Sequence, residues 1–583
     1  MVLNELYKLY HLLQVRGVAL PRMGWSVQKV SFRVVITPQG DVVRIEDARV
    51  QQPRGPKKKL TTVAAELMLP GEAKPSGSGV NPCFLWDNAA YLLGCRDVKP
   101  RAQEYFEEFR RKHLEVESDV DSTSYSAVCR FLEKWTPDMC AEFFNNKDLY
   151  TGNGVFRIVG AFQDVHQDAS IVQWWETSGH SMWRMDKAKA ASVEGMCLVT
   201  GKYGPIAALH EPSIKGVADA QSSGAKLVSF NCKSFESYGK EQSFNSPVSP
   251  AAAFAYCNAL NYLLSSEGNR LRIGDATTVF WTDAPRAEDA LFHGLLVKFA
   301  LEPTAQDESL TQLLRRILET ISAGKNVVTE LPGADSVNFH ILGLSPNAAR
   351  LSVRFYHQSS FGEFVENMAA HYRALSLQRR GGNFKDPEFI SPYQILRETA
   401  RESKDVPPSY GGALMRAILS ARPYPDVIAI AMLRRMRVDY HVNYVRCSYL
   451  KAWLSRKFPN ESITTMLDND NTHPGYLLGR AFAILQKTQS DALPEVNRTL
   501  QDAYYASAST SPRTVFPRIL KLNRHHMAKL TAKHRIAREK ILQHVLASLT
   551  EIPASLNLTE QCYFALGFYH QTQDFYTSKE SSH

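Results

Sequence analysis

The feature that most constrains the fold is a change of pattern near Ser391. Before it, short alternating apolar stretches are separated by connectors rich in Pro and Gly. After it come long 3.6-residue periodicities, interrupted only by breakers such as ARPYP, MLDNDNTHPG and SASTSPRTVFP. These two regimes predict an α+β protein. We expect an N-terminal mixed α/β region with antiparallel hairpins over 1–390, with room for two subdomains, then a helical connector over 391–465 and a C-terminal α-helical bundle over 466–583. At 583 residues, with 44% hydrophobic and 22% charged positions, the chain can bury several cores without staples and lacks the signature of disorder.

At the start, Leu3, Leu6, Tyr7, Tyr10 and Leu13 recur at helical spacing with charges between them, which predicts an amphipathic helix and not a signal peptide. Alternation at Val30, Phe32, Val34 and Ile36, a turn over Pro38 to Asp41, and the return at Val43 and Ile45 predict a hairpin. Two stretches dense in Pro, Gly, Ser and Lys, Gln51 to Leu60 and Pro70 to Pro82, read as surface loops. The acidic segment Arg101 to Asp121 reads as a solvated helix with its exit loop, and Gly152 to Val199 as strands.

Nine cysteines without a CxxC pair argue against a zinc site and a secreted disulfide framework, so a cytoplasmic protein is expected. The apolar run Val427 to Leu433 is far short of the roughly twenty residues that span a bilayer as a helix. No GxxxxGK[ST], strand-linked GxGxxG, GxSxG or HExxH occurs, so neither catalysis nor a cofactor is expected. His525 and His526 are neighbours on a helix and diverge by about 100°, which suits a surface role better than metal binding. Asp468 to Asn471 lack the later ligands of a calcium loop and read as a helix-capping loop. Trp174, Trp175 and Trp183 offer base-stacking faces, but core packing is the stronger reading.

The net charge of +9 is concentrated. Between Ser511 and Lys540 nine Lys and Arg face one acid, Glu539, while the remaining residues are almost neutral. Within Pro517 to Lys540, Arg518, Lys521, His525, Lys529 and Lys533 are spaced to form one helical row, with Arg524 beside it. Ile519, Leu522, His526 and Leu530 form an apolar row for a bundle core. Like charges at these spacings repel, so a row without acids points to a polyanion partner. A second concentration, Arg434, Arg435, Arg437, Arg446, Lys451, Arg456 and Lys457, is expected to extend the same groove. No RRM, KH or zinc-finger pattern indicates base-specific readout.

The strings GSGVNPCFLWDNAAYLLG (77–94), HEPSIKGVADAQSSGAKLVSFNCKSFESYGKEQSFNSPVS (210–249), FWTDAP (280–285) and HPGYLLGRAFAILQK (473–487), with FPRILKLNRHHMAKL and ALGFYHQ, resemble one family in order along the chain. That family is the CRISPR-associated large subunit of the type I-C Cascade surveillance complex. The resemblance implies a non-catalytic antiviral component. Guide RNA pairing reads the target, and protein reads a short flanking motif, the PAM, and holds the displaced strand of the R-loop. It also implies an N-terminal region near the 5′ handle of the guide RNA and at the PAM duplex, and a C-terminal bundle like the small subunit along the non-target strand.

Given that resemblance, Lys57, Lys58, Lys59 and Lys74, with Ser76, Gly77, Ser78, Gly79 and Asn81, are candidates for PAM contact, since they combine phosphate neutralisers with a small-residue loop. Lys215, Gln221, Ser222, Ser223 and Lys226 are candidates for clamping the guide handle or an adjoining subunit, with a structural turn as the alternative. Asn231, Ser237, Tyr238, Lys240 and Asn245 are expected to form a buried network orienting that loop. Arg518, Lys521, Arg524, His525, Lys529 and Lys533 are assigned to the non-target strand. The implied partners are guide RNA, double-stranded target DNA and its displaced strand, the backbone and handle-binding subunits, a helicase-nuclease recruited after R-loop formation, and a helical small subunit. That subunit is expected as an internal translation product from Met466. The alternative function is a metal-dependent nuclease acting on the bound strand.

Overall fold

The computed structural model describes residues 2–54, 59–71, 80–95, 101–143, 152–184, 193–302, 308–322, 331, 333–380 and 386–576. Packing divides the chain into two compact units, one built from 3–213 and 228–260, the other from 214–227 and 261–583.

The first unit opens with the helix Val2–Val15, which buries Leu6, Leu9, Tyr10 and Leu13. Its centre is strand β1 (Trp25–Ile36), whose second half is buried on both faces. β1 pairs antiparallel with β2 (Val42–Asp47), closing the expected hairpin through Thr37 and Asp41. The strands β3 (Val50–Arg54) and β4 (Lys59–Val63) form an antiparallel ribbon with Arg54 opposite Lys59. The loop expected over 51–60 is therefore largely strand: Val50, Val63 and the β-branched Thr61 and Thr62 favour pairing over coil. β5 (Ala65–Pro70) pairs with the first half of β1. β6 (Trp86–Asn88) lies antiparallel to β7 (Asn153–Ile158), which runs parallel to β1.

Helices Ala102–Glu115 and Thr123–Lys134 cover this sheet's core, the first burying Phe106, Phe109 and His113 beneath its acidic outer face. In 152–199, expected as strands, the segment Ala169–Arg184 is instead helical with one π-turn, Trp175–Gly179. Trp174 and Trp175 are buried, and Trp175 stacks on Phe84 at 4.8 Å and donates its indole N–H to the Gly24 carbonyl (2.8 Å). Cys95 and Cys140 depart from the expectation of unpaired thiols, forming a disulfide with Cα atoms 5.8 Å apart. β8 (Glu194–Met196) and β9 (Tyr203–Pro205) make a short hairpin.

The second unit contains an antiparallel meander, β10 (Arg270–Ile273), β11 (Ala276–Thr282), β12 (Asn338–Asn347) and β13 (Arg350–Ser360). From Phe361 onward the described secondary structure is helical, beginning with Phe361–Leu375, ahead of the pattern change near Ser391, and ending with Leu558–Tyr576. One apolar core runs through the unit, from Leu271 in the sheet to Tyr569 in the last helix.

Candidate nucleic-acid interface

The helix Pro512–Ala528 starts on Pro512, whose missing N–H costs nothing at that position. Val515, Phe516, Ile519, Asn523 and His526 recur at i, i+4 and i+7 spacings and are buried, which turns Arg518, Lys521, Arg524 and His525 outward. The single helix expected over 517–540 is broken. Ala528 is its last residue, and Thr531 caps a second helix, Ala532–Ala547, its hydroxyl accepting the His534 N–H (3.4 Å). Local capping chemistry prevails over the charge periodicity, because a threonine hydroxyl satisfies a free N–H at the new helix start. Lys529 thus lies in the turn and Lys533 in the next helix, so the six assigned residues are spread over two helices and their turn and do not form one row.

All six are exposed. Two neighbouring arginines are engaged elsewhere in the fold. Arg513 donates to the Ile552 carbonyl (2.9 Å) and approaches Glu551, while Arg538 pairs with Asp491 (3.0 Å) and lies over the Phe575 ring. Arg518 sits 5.7 Å from the Tyr504 ring centre, leaving its charge outward. Among the described residues Lys521, Arg524, Lys529, Lys533, Arg535 and Lys540 have no ion-pair partner. Arg535 falls off the expected row, whereas Lys540, seven residues after Lys533, keeps its spacing. The local field registers on His526, whose pKa is lowered first by burial and then by His525 and Lys529. His525 and His526 point apart, one exposed and one buried.

The second basic concentration does not extend this face. Arg446 is buried between Glu398 (2.7 Å) and Asp439 (2.8 Å), and Arg435 also pairs with Asp439 (2.6 Å). Arg456 donates to the Ala417 and Arg422 carbonyls and covers the Tyr424 ring. Lys451 is buried with its Nζ 3.4 Å from the Arg373 carbonyl, and burial pulls its pKa down to about 8. Arg437 donates to Gln561, and Lys457 lies over Trp453. Most of these charges are internal struts, and only Arg434 and Lys457 of the set are exposed. The loop after them is the helix cap expected: Asp468 Oδ1 accepts from Asp470, and His473 Nδ1 accepts the Gly475 N–H.

The 214–227 loop is stitched into the second unit by an Ile214–Ala225 bridge and by Lys226 against Arg350 at the start of β13. Its neck is fixed by Asn261, which accepts the Lys215 N–H (2.8 Å), and by Thr277, which accepts that of Ala218 (2.9 Å). Lys215, Gln221, Ser222 and Ser223 are exposed around a turn closed by Gly224, while Lys226 is half-buried. The network expected to orient it is differently placed. Asn245 Oδ1 accepts the Ser237 N–H (2.9 Å) and its Nδ2 donates to the Lys240 and Gln242 carbonyls, but these residues belong to the first unit. Tyr238 is 98% exposed. The set is a surface loop clip, not a buried network, in which the Asn245 amide bonds the nearby turn backbone as asparagine commonly does.

Of the PAM candidates, Lys57, Lys58, Lys74, Ser76, Gly77, Ser78 and Gly79 lie outside the described residues. The backbone of Lys59 begins β4, and Asn81 is half-buried with its N–H donated to the Tyr91 hydroxyl (3.1 Å). The structure places the C-terminal cationic set on two consecutive helices and their turn, and the 215–226 residues on a separate turn.

The described residues thus comprise an α/β region bearing sheets and a helical region that carries a cation-rich pair of helices. The family model for CRISPR-associated protein (Cas_Csd1) matches residues 6–576, and the chain belongs to that family. No curated protein matches it.

Proposed function

We propose that this chain is the non-catalytic large subunit of a type I-C CRISPR RNA-guided surveillance complex, engaging the PAM duplex and the guide-RNA handle and stabilising the displaced strand. The observation that carries the reading is the set of unpartnered, exposed cations on the 512–547 helical hairpin. Their mutual repulsion is relieved by a polyphosphate, and family membership supplies the CRISPR context. The PAM role is assigned to the segment bearing Lys57 to Lys59, Lys74 and Ser76 to Asn81, and the handle or subunit contact to the 215–226 turn. A helicase-nuclease then performs the cleavage. The alternative of a metal-dependent nuclease has no support among the described residues, where no group of three or more His, Cys, Asp or Glu side chains converges. No described helix is long and apolar enough to cross a membrane.

The test is the salt dependence of single-strand binding by the assembled complex. With a slope near −0.7 per phosphate contact, replacing Arg518, Lys521, Lys529 and Lys533 by Gln should flatten the plot of log affinity against log salt by up to about 3 and weaken all sequences alike. An unchanged slope removes DNA from this face.

A further inference from the structure

A cleft of about 420 Å³ opens between the helices Pro512–Ala528 and Ala532–Ala547. Met527, Leu542 and Leu546 give it an apolar wall, and Arg524 and Arg535 stand at its sides. Asn523 lines it from the buried face of the first helix. That residue is only 6% exposed, and among the described residues its Oδ1 has no hydrogen-bond partner. A buried amide oxygen left without a donor is destabilising, so a ligand that supplies one is favoured.

We propose that this cleft receives a single nucleobase, turned out of a strand that runs over the cationic face. The inference rests on the reading of that face as a single-strand site. Chemistry selects the occupant. The cleft also holds Glu539, the one acid of 511–540, which disfavours a phosphate inside it and leaves phosphates to the arginines at the edge. A neutral base satisfies the rest. Its flat face lies against the polarisable Met527 thioether and a guanidinium plane, and its hydrogen-bonding edge meets the Asn523 amide once that side chain turns its buried oxygen toward the cleft. The apolar wall contacts any base, so the pocket adds affinity with little sequence preference, as a displaced strand of arbitrary sequence requires.

The experiment compares a fluorescent single-stranded oligonucleotide with an abasic backbone of equal length, on the full chain at fixed salt. Base-bearing DNA should bind about tenfold more tightly, with the same salt slope, and 2-aminopurine placed along the strand should change its emission on binding. Asn523→Leu removes the amide, and Ala528→Leu, at an exposed helix position lining the cleft, fills its mouth without offering a stacking ring. Each should bring the tenfold preference close to unity while leaving the salt slope intact. Equal affinity of the unaltered chain for both backbones, or a preference that survives both substitutions, overturns the base pocket and leaves the phosphate track standing. Failure to bind either backbone overturns both.

Discussion

His113 is held in one tautomer by its surroundings. Its Nδ1–H donates to the Phe109 carbonyl (2.7 Å) while Nε2 accepts the Leu85 N–H (3.0 Å), so a second proton has no place. His371 against the Tyr424 hydroxyl and His570 against that of Tyr476 are buried likewise, and desolvation drives all three down to about 3. An unfolded histidine takes up its proton near pH 6.5, whereas these do so only near 3, so the unfolded state binds more protons throughout that window. Their stabilisation is complete above about pH 6.5 and is lost as pH falls toward 3. From pH 7 to pH 5 each should cost about 2 kcal/mol, read as a falling denaturant midpoint. His371→Phe should lower the midpoint at pH 7, because Tyr424 loses its partner, yet make it less sensitive to acid. A pH profile identical to that of the parent chain refutes the assignment.

Two helices of the C-terminal region, Pro474–Ala492 and Leu558–Tyr576, meet backbone to backbone. A Cβ on Gly479 would lie 2.0 Å from the Phe564 carbonyl oxygen, one on Gly475 2.4 Å from that of Glu560, and one on Gly567 2.2 Å from that of Tyr476. Carbonyl oxygens of a helix cannot rotate aside, so Gly479→Ala must separate the helices. The overpacking cost exceeds the roughly 1 kcal/mol that alanine contributes to helix propensity, and a net loss of about 2 kcal/mol or more is expected in thermal unfolding. Gly204→Ala, with nothing within 4 Å, is the control that should not move. The helices themselves and the β1–β2 hairpin were legible from periodicity, because one buried face repeats at 3.6 or 2 residues. Their close approach was not, since a glycine in a helical pattern has the same appearance whether its neighbour is solvent or a carbonyl. The same limit separates the two basic clusters. Arg446 and Lys521 are indistinguishable by composition, but Glu398, 48 residues before Arg446, returns to pair with it, while among the described residues no acid pairs with Lys521. The break at Thr531 was locally encoded by a capping residue, and it was obscured by the regular spacing of the charges around it.

At the scale of the molecule, the continuous core of the second unit bears on a separate small-subunit product. The segment 466–583 does not close its own core. Cys447 donates its thiol to the Ala565 carbonyl (3.9 Å), Tyr563 donates to Glu461 (2.6 Å) and Tyr569 to the Gln378 carbonyl (2.8 Å), all partners lying before residue 466. A product beginning at Met466 would uncover the face carrying Cys562, Ala565 and Tyr569, and would persist only where another surface of the assembly covers it. A start at Met432 or Met436 would retain Tyr444–Lys457, the helix that supplies Cys447 to this face, so packing gives those two methionines a weight that helix position alone denies them. Leucine at each position separates the starts without unfolding the long chain. Met466 is 60% exposed and tolerates the change, and Met432 and Met436, both buried, accept a volume-conserving swap at less than about 1.5 kcal/mol. With a C-terminal tag, Met466→Leu should abolish the short band and leave the full-length band, while Met432→Leu with Met436→Leu should leave both. Persistence of the short band in Met466→Leu and its loss in the double variant would move the start upstream, to a product that carries the covering helix with it.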